Sequence, residues 1–474
     1  MKTISIEPVT RIEGHAKITI ELDEQGKVQD AHFHVTEFRG FEKLCEGRPF
    51  HEMPALMSRI CGICCVSHQL ASAKACDALM AVRIPETAAN LRRLANLAQI
   101  IQSHALSFFY LSSPDLLLGM DSNPLNRNIL GLMRDHSQLA RDGVALRKLG
   151  QEIIEILAGK RLNSSWIVPG GVNAPLTENA KNKITTRISE GMAIAERTLD
   201  WYKTVLDNYR EEIRTSATFP SLFMGLVTPN AELEHYHGRL RVVDSTGAIV
   251  DDQIDPTLYP NYIKEATLPY SYLKAPYYKS RGYPEGVYRV GPLARLNVID
   301  RPGTQRADEE WAEYRALRRQ AILSNFHNHY ARLIEILYSI ERIQQLLEDT
   351  RITDTRVRVT AGANITEGIG VTEAPRGTLI HHYKTNDDGL VTWSNLIVAT
   401  GHNNLAMNHG VLQVAKHFMS NGREVSEGIL NRVEAVIRTF DPCLSCSTHA
   451  VGKMPLDIRI INSKGHVINQ LKRD

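Results

Sequence analysis

No stretch of the 474-residue chain approaches the roughly eighteen uninterrupted apolar residues that a membrane helix requires. Met1 to Pro8 hold no charged segment leading into an apolar one, so no secretory leader is expected there. Charge of one sign is scarce: Lys+Arg 55 against Asp+Glu 53 leaves a formal +2, and no basic block interleaved with aromatics marks a nucleic-acid surface. Internal repeats and low-complexity segments are missing as well. Cysteine is sparse, seven in all and odd in number, which excludes the dense disulfide framework of a small secreted domain. At 43% hydrophobic and 23% charged, the chain can bury a large core. The expectation is a cytoplasmic protein with no membrane span and no nucleic-acid partner.

The few cysteines are placed unevenly, and that is the first functional signal. Cys61 and Cys64 lie in Arg59-Ile60-Cys61-Gly62-Ile63-Cys64-Cys65-Val66-Ser67-His68, and Cys443 and Cys446 in Asp441-Pro442-Cys443-Leu444-Ser445-Cys446-Ser447-Thr448-His449. Each C-x-x-C brings two sulfurs together at a turn or in a helix's first turn, where free N–H groups favour thiolate. Two pairs offer four sulfur ligands to one soft-metal site. A single redox dithiol leaves the second pair unexplained, and a zinc clip ordinarily closes a short loop, whereas about 380 residues separate Cys64 from Cys443. Spacing alone leaves zinc and redox iron both open. Cys45, Cys65 and Cys76 read as small buried hydrophobes. His68, one helical turn after Cys64, either hydrogen-bonds a sulfur or packs. His449 reads as a ligand, a donor to a ligand, or a surface residue.

The hydropathy pattern predicts an α+β chain, mainly α: a large multi-helix body with peripheral β-hairpins. Region 1–50 alternates as strands, and 51–215 is a helical body carrying the first cysteine pair, with helices at 87–111, 138–158 and 176–215. A Pro/Gly-rich, strand-containing insertion occupies 216–304. Region 305–449 begins with a Gly- and Pro-free stretch to Asp349, expected as one long helix or two stacked ones. It continues through strands at 355–400 and helices at 403–420 and 425–439 to the second pair. Residues 450–474 form a C-terminal extension.

Four motifs occur in order: Arg11-Ile12-Glu13-Gly14-His15, the run at 59–68, Ala374-Pro375-Arg376-Gly377, and the run at 441–449. Together, across nearly the whole chain, they resemble the catalytic large subunit of a nickel–iron hydrogenase, a fold shared with the quinone-side subunit of complex I. Segments His104 to Asp115, Phe219 to Val227 and Tyr270 to Asn297 resemble the cytoplasmic, bidirectional NAD-linked branch. The resemblance implies Cys61 and Cys443 as terminal nickel ligands, and Cys64 and Cys446 as bridges to an iron carrying two cyanides and one carbon monoxide. Arg376, Thr400, Pro375 and His68 would surround that cofactor, with Arg376 and Thr400 hydrogen-bonding the cyanides. Heterolytic splitting of H2 would pass a proton to the Cys443 sulfur and then to Glu13. Glu42, His449 and the Leu396 carbonyl match a magnesium site.

The same resemblance implies partners: a small iron–sulfur subunit, and diaphorase subunits carrying FMN and NAD. A maturation endopeptidase would cut between His449 and Ala450, alongside nickel-insertion proteins. An uncut 450–474 is expected to keep the Cys443–Cys446 segment from closing on the metals. One departure stands out. Other branches place an Asp at the position of Ser103, so the anchoring of Arg376 falls to Glu373 or Asp441. Kept open beside this reading are a deazaflavin- or NADP-linked hydrogenase, a non-catalytic relative of complex I, and a structural zinc protein. On residue chemistry alone, Glu13 reads as an exposed strand residue, Glu42 as a solvated carboxylate, and Arg376 as half of an ion pair.

Overall fold

The computed structural model describes residues 2–419, 425–449, 456–462 and 466–473. Its centre is a set of long helices, Glu86–Ala105, Ser137–Ala158, Glu178–Val205 and Asn328–Glu348. The apolar residues at spacings of three and four, Leu91, Leu94, Leu97, Ile101 and Ala105, are all buried, as an amphipathic helix requires. Local chemistry sets the ends. The Thr177 hydroxyl accepts from the Ala180 amide at the start of one helix, and Gly159 closes another in the left-handed conformation. The Gly- and Pro-free stretch is two helices, Gln305–Ala316 and Asn328–Glu348. Among the described residues no helix is long and apolar enough to cross a membrane.

The helix predicted over 87–111 changes pitch at Leu106–Ser112, which forms a π-helical stretch. Ser107, Phe108 and Phe109 are successive and all buried, and the two rings meet edge to face at 5.0 Å. Phe109 fills the space beside Gly143 on the helix Ser137–Ala158.

The β structure lies in small antiparallel sheets. Lys2–Ile6, Ala16–Leu22 and Val28–Val35 form a meander whose inner face packs on the helix Asn404–Phe418. Glu367–Ala374, Gly377–Thr385 and Val391–Ile397 form a second. Its first two strands are buried against the helix Cys65–Leu79, and their two-residue turn is Pro375-Arg376. A Cβ on Gly377 (φ +131) would stand 2.4 Å from Val290 Cγ2, so only glycine lets the turn sit this deep. The strands Leu456–Ile461 and Val467–Arg473 pair antiparallel.

Candidate metal centre

Both cysteine pairs lie where a chain segment enters a helix. Cys64 precedes the helix Cys65–Leu79, and the Ile63 amide donates to Cys61 Sγ at 3.2 Å. Cys443 precedes the short helix Leu444–Ser447, which contains Cys446. The longer helix before it, Glu427–Phe440, ends at Asp441, a non-glycine residue in the left-handed conformation (φ 53°). Asp tolerates that region better than most residues, and the reversal turns the chain toward the first pair.

The pairs meet. Cys61 and Cys443 sulfurs are 3.4 Å apart, Cys64 and Cys446 3.3 Å, and Cys443 and Cys446 2.7 Å. All four lie within 4.8 Å of one another and are buried. Hydrogen bonds from Cys443, Cys446 and Cys61 hold the Cys64 thiol well below its ordinary pKa, while burial raises Cys443 and Cys446. Four buried sulfurs that converge in this way suit a soft-metal cation, whose binding displaces their protons. Four convergent buried sulfurs fit the implied nickel and iron. Cys45, Cys65 and Cys76 stay out of the cluster. Burial pushes the Cys45 and Cys65 thiols up to about 11, and Cys45 and Cys76 donate to the Phe41 and Phe50 carbonyls.

Arg376 lies beside the cluster, 3% exposed. Its Nε donates to the Asp441 carbonyl at 2.6 Å, one terminal nitrogen to Asp441 Oδ1 at 3.1 Å, and the other to Ser103 Oγ at 3.3 Å. Burial alone would lower its pKa, but the charge of Asp441, followed by the sulfurs of Cys443, Cys64 and Cys61, drives it well above the ordinary value. Of the two acids left to anchor it, Asp441 does so. Glu373 instead pairs with Arg295 at 2.8 Å, and Arg295 also pairs with Glu335 and donates to the Ala374 and Pro375 carbonyls.

Glu13 runs beside Cys443 in a parallel bridge: the Leu444 amide donates to its carbonyl at 3.1 Å and the Ser445 amide to its Oε2 at 3.0 Å. The Thr400 hydroxyl accepts from the Cys443 amide at 3.0 Å, which leaves its own hydrogen to donate. The His68 amide donates to the Cys64 carbonyl at 3.3 Å, and its Nδ1 lies 3.1 Å from His381 Nε2. Glu42 meets His449 Nδ1 at 3.0 Å and the Leu396 amide at 2.9 Å, with Lys274 Nζ 3.5 Å away. Burial opposes ionisation of Glu42, but His449, Lys274 and the Leu396 amide together hold its pKa down at about 2. An ionised oxygen donor beside an imidazole fits a hard divalent cation, although Lys274 already supplies positive charge there.

The Cys443–Cys446 segment is held by Thr400, by Glu13, and by the His449 amide donating to the Tyr272 carbonyl at 2.9 Å. Ala450 lies outside the described residues. The His381–Tyr383 pair was passed over by motif matching, whereas Asp441 was one of the two acids expected to anchor Arg376. Asp441 stands inside its motif, and strand alternation places His381 and Tyr383 on one face.

The pattern of nickel-dependent hydrogenases matches residues 39–120 and 233–449, and a HoxL-like pattern matches residues 3–38. The chain belongs to the nickel-dependent hydrogenase family. As a hydrogenase large subunit it is 45% identical over 96% of its length to a vhc F420-non-reducing hydrogenase subunit of Methanococcus voltae, covering 96% of that protein. It is 40% identical over its full length, and that of the relative, to the NAD-reducing hydrogenase HoxS subunit beta of Cupriavidus necator. A crystal structure of an NAD+-reducing [NiFe]-hydrogenase superposes with TM-score 0.91 at 43% identity, over 95% of this chain and 100% of that one. A Ni-Fe-Se hydrogenase from Desulfovibrio vulgaris Hildenborough gives TM-score 0.76 at 25% identity, over 94% and 100%. Membership in this family displaces the structural zinc protein and the non-catalytic relative. The mainly helical α+β fold is the one expected of a hydrogenase large subunit.

Proposed function

We propose that this hydrogenase large subunit cleaves and forms H2 reversibly and heterolytically at a nickel–iron centre. Electrons leave through a small iron–sulfur subunit, then through FMN-carrying diaphorase subunits, to NAD(P) in the cytoplasm. The observation that carries the reading is the convergence of Cys61, Cys64, Cys443 and Cys446 in one buried cluster flanked by Arg376. When bound, the metals supply the Lewis acidity and redox capacity that polarise H2. Cys61 and Cys443 would hold nickel, and Cys64 and Cys446 would serve both nickel and an iron bearing two cyanides and one carbon monoxide. Arg376 offsets the net negative charge of that group, and the free hydrogen of Thr400 serves a cyanide. Pro375 shapes the turn that presents Arg376, and His68 donates to a sulfur.

The Cys443 sulfur accepts the proton. Glu13, whose backbone is paired to Cys443 and whose Oε2 is held by the Ser445 amide, carries it outward. Glu42, His449 and the Leu396 carbonyl hold magnesium, which ties the C-terminal segment to the Leu396 strand. Nickel-insertion proteins load the site, and an endopeptidase then cuts after His449. Infrared spectroscopy of the anaerobically purified complex tests the centre: one carbonyl and two cyanide bands are expected. Their absence from chains that mass spectrometry shows cut after His449 would refute it. The identity to the F420-non-reducing relative supports a second reading, in which the electrons go to another acceptor. H2-dependent reduction of a viologen dye without reduction of NAD+ by the intact complex would favour it.

A further inference from the structure

The Pro375-Arg376 turn is held from beneath by a side chain that the proposed reaction does not use. The turn packs on Val290 and Gly291, where a Cβ on Gly291 would stand 2.8 Å from the Arg376 carbonyl oxygen. The helix Pro292–Val298 follows at once and carries Arg295, which is wholly buried. Its Nε donates to Glu335 Oε1 at 2.6 Å. One terminal nitrogen donates to Glu335 Oε2 at 2.6 Å and to the Pro375 carbonyl at 3.0 Å. The other donates to Glu373 Oε2 at 2.8 Å and to the Ala374 carbonyl at 3.0 Å. A guanidinium has five N–H donors in one plane, and here all five are taken.

The acceptors are themselves fixed. Glu335 Oε2 also meets His104 Nε2 at 2.7 Å, and Glu373 Oε1 accepts from the Thr378 hydroxyl at 2.8 Å and the Leu226 amide at 3.1 Å. Glu373 and Thr378 face each other across the two strands that the turn joins. Arg295 therefore grips the last two carbonyls before Arg376 and, through Glu373, both limbs of the hairpin. Those peptide groups set the direction in which the Arg376 side chain leaves the backbone. Its tip is tied separately, to Asp441 and Ser103. A long side chain held only at its tip shifts with its base; one held at both ends keeps a single place.

We infer that Arg295 is a positioning residue of the centre: it fixes the Pro375-Arg376 turn and so decides where the Arg376 guanidinium stands beside the four cysteines. The consequence for the cyanides rests on the function proposed above, whereas the hold on the turn does not. Lysine cannot replace it, because one ammonium at a point does not reach two carboxylates and two carbonyls arranged around a plane.

Two readouts test this on three variants. Amide hydrogen exchange of the metal-free full-length chain reads the turn, and the infrared cyanide bands of the purified complex read the placement of Arg376. In Arg295→Lys, exchange across residues 374–378 is expected to be about tenfold faster and the cyanide bands to move. Gly225→Ala is the gentler variant: its Cβ would stand 3.2 Å from Arg295 Cγ, displacing that side chain with every charge in place. The same changes are expected there, smaller in size, so the test survives if Arg295→Lys does not fold. Glu335→Gln unbalances the buried charges but leaves both carbonyl bonds of Arg295; it is expected to melt lower and to move neither readout. Wild-type exchange across the turn in Gly225→Ala and in any folded Arg295→Lys would overturn the inference, as would wild-type cyanide bands in both or equal changes in Glu335→Gln. A wild-type complex without cyanide bands would count against the nickel–iron reading, and the exchange result would still decide whether Arg295 holds the turn.

Discussion

Gly14→Ala puts the apposition of Glu13 and Cys443 to a direct test. Gly14 has φ +88, and a Cβ there would stand 2.7 Å from Leu444 Cβ and 3.3 Å from the Ser445 amide nitrogen. The left-handed backbone costs a non-glycine residue about 1–2 kcal/mol, and forcing a methyl into packed surroundings costs about 1–3 kcal/mol. The sum, about 2–5 kcal/mol, has two outlets. If the chain keeps its shape, the cost appears as lower global stability. If the Leu444–Ser445 segment backs away, the 3.0 Å contact between the Ser445 amide and Glu13 Oε2 breaks and the carboxylate leaves Cys443. Thermal unfolding of the purified complex reads the first outlet. D2/H+ exchange, which needs proton movement at the centre but no electron acceptor, reads the second. Gly40→Ala is the control, since a Cβ there meets nothing within 4 Å, and it is expected to leave both unchanged. A Gly14→Ala complex with wild-type melting and wild-type exchange would refute the reasoning.

Asp441→Ala removes the carboxylate that pairs with buried Arg376 and is expected to cost about 3–5 kcal/mol in urea unfolding of the full chain. Asp441→Asn, which tolerates the left-handed backbone, is expected to recover part of that; equal losses would show that the backbone conformation contributes nothing. Burial lowers the Lys74 ammonium from 10.5 to about 8, so between those values the unfolded chain binds the extra proton and stability rises with pH. Relative to Lys74→Met, the wild type is therefore expected to gain up to about 3 kcal/mol between pH 8 and 10.5, and a flat difference would show that the amine keeps its charge. Cys446→Ser exchanges a soft ligand for a hard one, and elemental analysis of the purified complex is expected to find it depleted in nickel and iron, whereas Cys65→Ser retains both.

The helical periodicities and the four motifs were legible because each is set by neighbours a few residues apart. The apolar spacing from Leu91 to Ala105 marked the helix, but not that Arg92, Asn96, Gln99, Gln102, Ser103 and His104 on its other faces are buried as well. The π-helical stretch was not legible: Phe108 and Phe109 both turn inward only because Gly143, on another helix, leaves room. The anchor of Arg376 was narrowed to two acids, and no local rule separated them. Glu373 precedes the turn and Asp441 lies 65 residues downstream, yet it is Asp441 that reaches the guanidinium, while Arg295 and Thr378 occupy Glu373.

Residue order alone therefore specified which side chains could serve a soft-metal centre and which helix and strand faces they stand on. Folding the whole chain specified which of them touch. Cys61 and Cys443 meet at 3.4 Å, Glu13 lies along Cys443, and Glu42 reaches His449 across most of the chain. Contacts between segments so far apart are not encoded in any local propensity. They exist only when the core between the segments is packed tightly enough to offset the entropy of closing such long loops.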